Sequence, residues 1–424
     1  MLRLYSVMWW LALPVVLARL WWRGRKEPGY RKHIGERLAL IPKRGSNAPL
    51  IWLHAVSVGE TRAAAPLIDL LLAEYPEHEL LLTHMTATGR ATGAALIESY
   101  GKRVQQAYLP YDIGSIVARF LARTSPQICL LMETEIWPNV MAQCAARQIP
   151  VALINARLSE RSLKKAQRLG SLMRDAAMRL QHVGAQTLND AERIRSLGVV
   201  DVEVTGSIKF DVTPTAEALA FGQQLRQQIG ARPVLLCAST REGEEKLLLD
   251  ALAASNLPPS ALLILVPRHP QRFDAVAALV ISRGRTLQRR SILGTDMVDA
   301  EVLLGDSMGE MFGYCEASDI VAIGGSLLPL GGQNPIEAAA VGKPVLFGPY
   351  TFNFAVVSEE AIAAGAALRV ADVTALLRDA GALLRDDALR FAMGSSARRF
   401  AQQHRGAAVR TMALLRPLLD AKKG

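Results

Sequence analysis

The chain has 424 residues, half of them hydrophobic and 21% charged, which is enough for two domains with full-sized cores and excludes an extensively disordered protein. Its formal charge of +10 is concentrated at the start, where Met1–Arg44 carries ten lysines or arginines against two acidic residues. The remaining 380 residues hold 39 basic against 37 acidic groups, so the pattern does not predict a nucleic-acid-binding face.

The first 30 residues are predicted to be a membrane anchor with a basic flank. The apolar segment Leu4–Trp22 has an uncharged core of 15 residues, shorter than the roughly 18 that mark a spanning helix. Tryptophan pairs near both ends suit the headgroup level of a bilayer. The segment therefore spans thinly or lies in the interface, and a buried helix of the fold is the alternative. No small-residue cleavage site follows it, and the basic flank predicts that the rest of the chain is cytosolic.

From Ser46 onward, short β-rich runs alternate with helical stretches. Seven runs, from PLIWLHAV to VEVTG, precede a connector near Gly206, and six more, from PVLLCAST to ALRV, follow it. Nearly continuous apolar strands separated by helices indicate parallel sheets covered on both faces. We therefore predict an α/β protein with two tandem Rossmann-like doubly wound domains, 31–207 and 217–404, a hinge at 208–216 and a C-terminal helix at 405–424. Ligands are expected in a cleft between the carboxyl edges of the two sheets.

Glu60 lies where the first predicted strand gives way to a helix, in the stretch IWLHAVSVGETR. An acid in the first turn of a helix complements the helix dipole and needs no further role. In α/β enzymes, however, turns at the carboxyl ends of strands carry the chemistry. Both interpretations of Glu60 stay open on this stretch alone.

A glycine-rich stretch, Gly324–Phe354, follows a predicted strand in the second domain. Its glycines let a ligand approach the backbone, and Asn334-Pro335-Ile336-Glu337 is predicted to open a helix with Pro335 in the first position. Exposed amides at such a helix start favour a phosphate, and Glu337 could bind a ribose diol. An ordinary loop is the alternative. The chain has no G-x-G-x-x-G, P-loop, D-x-D or clustered histidine motif, so neither a dinucleotide cofactor nor a metal ion is expected.

Several motifs in one order resemble a known family. They are HAVSVGE, METEIWPN, NARLS, TGSIKFD, VPRHPQRF, GDSMGE and GGSLLPLGGQNPIEAAAVGKPVLFGPYTFNF. In order and spacing these are similar to the 3-deoxy-D-manno-octulosonic acid (Kdo) transferases of lipopolysaccharide biosynthesis, over essentially the whole chain. The resemblance implies the GT-B glycosyltransferase architecture and transfer of Kdo from CMP-Kdo to the lipid A precursor, lipid IVA. It also implies action without metal or cofactor at the cytoplasmic face of the inner membrane.

The resemblance also assigns the site residues. It implies that Glu60 is the general base and that Glu133 and Lys209 stabilise the transition state. It implies a CMP site at Arg268, His269, Met308, Gly309, Glu310, Asn334, Pro335, Ile336 and Glu337. Further candidate contacts to substrate are Ser57, Gly59, Arg157 and Ser326.

The chemistry fits these assignments. One base and no enzyme nucleophile imply inversion, and cations such as Lys209 and Arg268 would meet the charge of departing CMP. A solvated hinge lysine and a strand-end arginine are the structural alternatives. Glu133 and Glu135, two apart, would share a face on an extended strand end, with Glu133 the better candidate.

Two other functions remain open from the sequence. One is another GT-B enzyme acting on a nucleotide sugar, such as a UDP-sugar transferase or an epimerase. The other is a membrane-tethered binder of nucleotide sugars without catalysis, which would not need an intact Glu60.

Overall fold

The computed structural model describes residues 1–25 and 27–421. Lys26 of the predicted basic flank, and residues 422–424 of the predicted C-terminal helix, lie outside the described residues. The chain divides into two compact units. Unit 1 comprises Met1–Asp211 together with the chain from Arg405 onward, and unit 2 comprises Val212–His404.

Unit 1 is a parallel seven-stranded sheet with helices on both faces. Its strands are β1 Leu50–His54, β2 Glu79–His84, β3 Val104–Tyr108, β4 Ile128–Met132, β5 Val151–Ala156, β6 His182–Ala185 and β7 Val202–Val204. Its first eight helices are α1 Leu2–Arg23, α2 Val58–Glu74, α3 Ala87–Ile97, α4 Gly114–Thr124, α5 Pro138–Ala145, α6 Glu160–Arg168, α7 Ser171–Ala177 and α8 Leu188–Arg195. The order β3-β2-β1-β4-β5-β6-β7 reverses direction between β1 and β4, so ligands are expected there.

Unit 2 is also built on a parallel seven-stranded sheet, but in it β11 lies between β9 and β10. Its strands are β8 Val234–Thr240, β9 Leu262–Pro267, β10 Leu287–Arg289, β11 Val302–Leu304, β12 Ile320–Ile323, β13 Val345–Phe347 and β14 Ala367–Arg369. Its helices are α9 Ala216–Ile229, α10 Glu244–Leu252, α11 Phe273–Ser282, α12 Met311–Ala317, α13 Ile336–Ala340, α14 Ala355–Ala363, α15 Val373–Arg385 and α16 Asp387–Gln403. All pairs are parallel in the order β10-β11-β9-β8-β12-β13-β14, and the reversal falls between β8 and β12.

The predicted α/β class with two parallel sheets is confirmed. Twelve of the fourteen strands are fully or largely apolar runs that the alternation predicts, and β7 is a shorter version of one. The strand that the sequence did not reveal is β10, Leu287–Arg289. It is three residues long, half-buried and mostly polar, because it lies at the edge of the sheet and packs against only one neighbour.

The last helix of the chain, α17 Ala407–Asp420, returns to unit 1. Met412, Leu415 and Leu419 on α17 are buried in the same core cluster as Leu67 and Leu71 of α2. The start of α17 is fixed by Asp211, whose carboxylate accepts hydrogen bonds from the amides of Gly406 and Ala408. Unit 2 is thus inserted between two parts of unit 1.

Within the described residues, α1 is the one helix long and apolar enough to cross a membrane by length and composition. Only 6% of its apolar window is buried. One side of α1 contacts unit 1, where Ser6 Oγ donates to Asn139 Oδ1 at 3.0 Å and the ring of Trp9 lies 5.9 Å from that of Tyr111. The other side exposes large apolar side chains.

We expect Leu415→Ala to destabilise unit 1 by about 2–5 kcal/mol, because the side chain is fully buried and its loss leaves a cavity. All six tryptophans of the chain lie in unit 1, so urea unfolding followed by tryptophan fluorescence reports on that unit. Val409→Ala on the same helix is the matched control, since Val409 is 58% exposed. Equal midpoints for the two variants would contradict the packing of α17 on unit 1.

Candidate active site

Glu60 lies at the carboxyl end of β1, in the first turn of α2. Ser57 caps the helix, and its Oγ accepts the amide of Glu60 at 3.5 Å. In return, Glu60 Oε2 accepts the amides of Val56 and of Ser57, the latter at 3.3 Å. This reciprocal capping box fixes the position of the carboxylate. Among the described residues, the hydrogen bonds of Glu60 use only Oε2, so Oε1 remains for another partner.

The surroundings of Glu60 make it a weak acid. The residue is only 9% exposed, and burial together with the negative charge of Glu133 raises its pKa from 4.5 to about 7. The charge of Glu135 acts in the same direction, while the two amide bonds act against it. A carboxyl group that titrates near neutrality is suited to accept a proton from a substrate, so the capping role and the catalytic role of Glu60 are compatible.

Glu133 follows β4, the strand next to β1. Its φ of 60° is left-handed, which is uncommon for a residue other than glycine. The expectation that Glu133 and Glu135 share one face of an extended strand end was therefore wrong, because the chain leaves the strand at Glu133. The turn directs Glu133 Oε1 to Lys209 Nζ, at 2.8 Å, whereas Glu135 accepts a hydrogen bond from Trp137 at 2.9 Å.

Lys209 lies in a single 3-10 turn, Ile208–Asp211, that is held at both ends. At one end the amide of Ile208 donates to Asn155 Oδ1 at 3.1 Å, and at the other Asp211 binds the start of α17. The ion pair with Glu133 belongs entirely to unit 1, so Lys209 is not the solvated hinge lysine of the structural alternative.

Asn155 is a residue that the sequence interpretation did not single out. It is fully buried near the end of β5 with φ of 50°, where the pairing of β5 with β6 shifts register. Its contact to Ile208 anchors the turn that carries Lys209. The signal was present in NARLS, because an asparagine at the end of an apolar strand is suited to a left-handed backbone.

The other predicted contacts of unit 1 lie close in the chain to this group. Arg157 follows β5, and its amide donates to the carbonyl oxygen of Glu133 at 3.4 Å. Gly59 is exposed in the first turn of α2, where an added Cβ would meet only Ser57 Oγ at 3.9 Å. Ser57 itself is committed to the cap. Apart from Lys209, which lies in the turn after β7, the predicted residues of unit 1 therefore come from the carboxyl ends of β1, β4 and β5, on either side of the reversal point.

In unit 2, Arg268 and His269 follow β9. Arg268 Nε donates to Gln333 Oε1 at 3.2 Å, which joins the end of β9 to the glycine-rich stretch. His269 is exposed, and its pKa is lowered by partial burial and by the charges of Arg241, Arg268 and Arg272. Arg272 is neutralised by its ion pair with Glu245, so Arg241 and Arg268 are the cations near His269 that a phosphate could meet.

The predicted CMP residues Met308, Gly309 and Glu310 form the turn after β11. Met308 is 51% exposed, and an added Cβ at Gly309 would meet no atom within 4 Å, so this turn is open to solvent. Glu310 is committed, since it pairs with Arg290 at 2.9 Å and also accepts a hydrogen bond from Ser307. A ligand at this turn would therefore meet backbone and the Met308 side chain first.

The helix predicted to start with Pro335 is α13, and it begins one residue later, at Ile336. Asn334 Oδ1 accepts the amide of Ile336 at 3.1 Å, and Glu337 lies in the first turn. Pro335 and Ile336 are buried, so their contribution to a site is the backbone path that they fix. Ser326 is also fully buried, and its hydroxyl binds the amide of Gly348 at 2.8 Å and the carbonyl of Ile323. Its carbonyl accepts a hydrogen bond from the amide of Tyr350, so Ser326 offers no exposed atom to a substrate, and the expected contact there is not supported.

Glu244, at the start of α10, binds backbone amides of the glycine-rich turn. It is 1% exposed, and its carboxylate accepts the amides of Arg241, Gly325 and Leu327 at 2.9, 2.6 and 3.0 Å. Some amides expected to be open to a phosphate are therefore already satisfied by a side chain.

The neighbouring Glu245 is fully buried and binds both terminal nitrogens of Arg272, at 2.7 and 2.8 Å. Thr240 Oγ1 adds a third hydrogen bond to the same carboxylate at 2.6 Å. An acidic pair in the first turn of a helix, as in STREGEE, is the ordinary complement of the helix dipole, so the sequence carries no distinctive signal for the burial of Glu244 and Glu245.

No group of three or more histidine, cysteine, aspartate or glutamate side chains is arranged to hold a metal ion among residues 1–25 and 27–421.

The raised pKa of Glu60 predicts a measurable effect on stability. Below pH 4.5 the carboxyl group of Glu60 is protonated in both the folded and the unfolded protein. Between pH 4.5 and about 7 it ionises in the unfolded chain but stays protonated in the folded one. The free energy of unfolding therefore falls by up to about 3 kcal/mol over this range. Glu60→Gln cannot ionise, and its amide oxygen can still accept the capping bonds. Urea unfolding of both proteins below pH 4.5 and above pH 7 should show the variant gaining stability relative to wild type as pH rises. If the difference in free energy of unfolding between the variant and wild type did not change with pH, the raised pKa of Glu60 would be contradicted.

Solved structures share the fold of this chain over most of its length. A glycosyltransferase from Rickettsia africae aligns over 89% of this chain and all of its own, with a TM-score of 0.58 and 14% identity. The UDP-GlcNAc 2-epimerase of Neisseria meningitidis aligns over 86% of this chain and 99% of its own, with a TM-score of 0.57 and 18% identity. These likenesses show the fold alone and confirm the predicted GT-B-like class.

Comparison of sequences is more specific. The family profile described as 3-deoxy-D-manno-octulosonic-acid transferase (kdotransferase) matches residues 32–212. The 3-deoxy-D-manno-octulosonic acid transferase of Bordetella pertussis is 44% identical over 94% of this chain and 95% of its own. That of Haemophilus influenzae is 34% identical over 98% of both chains. The chain therefore belongs to the Kdo transferase family of lipopolysaccharide biosynthesis, and it is a glycosyltransferase.

Proposed function

We propose that this enzyme transfers Kdo from CMP-Kdo to the lipid A precursor lipid IVA by one inverting displacement, with Glu60 as the general base and without a metal ion. The observation that carries the proposal is the buried carboxylate of Glu60. It lies at the reversal point of the sheet, where burial and the negative charge of Glu133 raise its pKa to about 7. Glu133 in turn forms an ion pair with Lys209. This combination is typical of a group that has to accept a proton near neutral pH.

The capping box defines how Glu60 would act. Because Oε2 is held by the amides of Val56 and Ser57, the proton of the acceptor hydroxyl would pass to Oε1. The acceptor oxygen then forms a bond to the anomeric carbon of Kdo as the bond to the cytidylate oxygen breaks. CMP leaves with the electron pair. A single displacement inverts the configuration at that carbon, and no enzyme nucleophile is needed.

The charges of the substrates explain why cations are needed. The leaving phosphate gains negative charge, and Kdo carries a carboxylate of its own. Lys209, oriented by Glu133 at 2.8 Å, would stabilise one of these groups, and Arg268 together with Arg241 would hold the cytidylate phosphate. The remaining predicted CMP residues, from Met308 to Glu310 and from Asn334 to Glu337, would position the nucleotide. With these cations in place, the transfer needs no divalent ion.

We further infer that α1 holds the enzyme in the interfacial layer of the inner membrane, on its cytoplasmic side. One side of the helix packs on unit 1 through Ser6, Trp9 and Leu13, which favours a position along the membrane surface over a span. The opposite side exposes Leu11 and Val15 at 75% and 70%. Such a helix can bury its free apolar face at the headgroup boundary, where the basic flank meets anionic lipids and the lipid-linked acceptor resides.

Glu60→Gln should lower turnover by at least about 100-fold, the usual scale for a catalytic base, while CMP-Kdo binding is retained. The assay measures release of CMP with CMP-Kdo and a tetraacylated lipid A precursor. Release should require that acceptor, and UDP-sugars should not replace CMP-Kdo. The matched control is Glu77→Gln, an exposed glutamate in the loop before β2, which should leave the rate unchanged. Near wild-type turnover of Glu60→Gln would remove Glu60 from the proposed role.

The double variant Leu11→Ser and Val15→Ser should reduce binding to vesicles of anionic lipid by at least about tenfold, since two exposed apolar side chains would no longer enter the interface. Turnover with a detergent-dispersed acceptor should change little. Val200→Ser is the control, because Val200 is 93% exposed and lies outside α1, in the loop before β7. If both double and control variants bind vesicles as wild type does, α1 is not the attachment element.

A further inference from the structure

A cavity of about 740 Å³ opens on unit 2, at the amino ends of its strands. Asp319 and Pro344 line it, and they directly precede β12 and β13, while α16 forms the other wall. The predicted CMP residues lie at the carboxyl ends of the same sheet. The cavity is therefore separate from the proposed donor site, and its volume is in the range of small-molecule sites.

Most of the acidic groups in the cavity are already paired. Asp319 Oδ2 accepts the amide of Val234 at 2.8 Å and a guanidinium nitrogen of Arg226 at 3.2 Å. Asp387 pairs with Arg390 at 2.5 Å. The third acidic residue, Glu316, lies close enough to Lys343 for its charge to act on that amine, so these two charges offset each other and Arg398 and Arg399 remain as cations of the cavity.

The basic groups are less fully used. Arg398 and Arg399 are adjacent on α16 and exposed, and neither has an acidic partner among the residues that the structure describes. Arg398 donates one hydrogen bond to the carbonyl of Val341 at 3.2 Å, and Arg399 one to Ser396 at 3.0 Å. A guanidinium has five donors, so most of them remain available. Lys343, whose pKa is lowered by burial, donates to the carbonyl oxygen of Glu316 at 2.9 Å and lies near the charges of Glu316 and Asp319, so it is already engaged.

An aromatic ring lies in the same cavity. Phe391, on the same helix, is 78% exposed, a large fraction for a phenylalanine. Gly394, one turn further along, brings α16 close to Gly342, because an added Cβ would lie 2.4 Å from the Gly342 carbonyl oxygen. The cavity therefore combines a free aromatic ring, a wall of backbone and unopposed guanidinium groups. Stacking on an aromatic ring and paired hydrogen bonds from arginine are the means by which proteins bind bases and phosphates.

We propose that this cavity is a second ligand site, which takes a phosphorylated compound with a flat aromatic ring, of the nucleoside diphosphate class. Arg398 and Arg399 bind its phosphates and Phe391 stacks on its ring. The site does not depend on the assignment of Glu60 or of the CMP residues, since all of its groups lie on the opposite end of the sheet of unit 2.

The test is calorimetric titration of the full-length, detergent-solubilised protein with ADP and, separately, with pyrophosphate, both in the presence of saturating CMP. Arg398→Ser combined with Arg399→Ser should weaken both probes by at least about tenfold. Phe391→Ala should weaken the binding of ADP by a similar factor and leave the binding of pyrophosphate unchanged, because only ADP carries an aromatic ring. Arg378→Ser, an exposed arginine on α15 outside the cavity, is the matched control.

Each result decides the proposal. Melting temperatures of all variants within about 2 °C of wild type would show that the changes act on binding and not on folding. Saturable ADP binding that survives CMP and is lost in the paired arginine variant supports the site. No binding by wild type, or binding that is displaced by CMP and indifferent to Arg398, Arg399 and Phe391, overturns it. Turnover of CMP-Kdo, measured separately, stays unchanged in the cavity variants and reports on the proposed function alone.

Discussion

The structure of the site depends on one hydrogen-bonded unit, the capping box between Ser57 and Glu60. Glu60 is only 9% exposed, and an ionised carboxylate that is buried needs hydrogen-bond partners. The amides of Val56 and Ser57, directly before α2, are those partners. Those amides oppose the rise of the pKa, while burial and Glu133 promote it, and the balance lies near neutrality. The same contact that starts the helix thus keeps an acid available for proton transfer, with one oxygen fixed and the other accessible.

A second constraint keeps the neighbouring charges in place. Glu133 and Asn155 both have left-handed backbones at the ends of adjacent strands, and such strain persists only where surrounding contacts enforce it. Here the contacts are the ion pair of Glu133 with Lys209 and the hydrogen bond of Asn155 to the turn that carries Lys209. Two strained turns therefore position one lysine, which is an arrangement suited to precise placement of charge.

The sequence predicted the parts of this molecule that follow from periodicity. Apolar runs predicted the buried central strands, and the strand-to-helix turn predicted the place of Glu60. It did not predict β10, because an edge strand need not be apolar. It also did not predict the left-handed turn at Glu133, because the partner of that side chain, Lys209, is 76 residues away in the chain. The sequence also did not predict the role of Glu244, because a side chain that binds amides 81 to 83 residues away leaves no local sequence pattern. Contacts between distant segments were the part that required coordinates.

The return of α17 to unit 1 has a consequence for biosynthesis. Because Met412, Leu415 and Leu419 complete a core begun by α2, the ribosome must make all of unit 2 before unit 1 can close. During that interval the apolar face of α2 that α17 later covers is open to water or to a chaperone, while α1 has already emerged and can meet lipid. Unit 2, whose chain is continuous, can fold first although it is translated later.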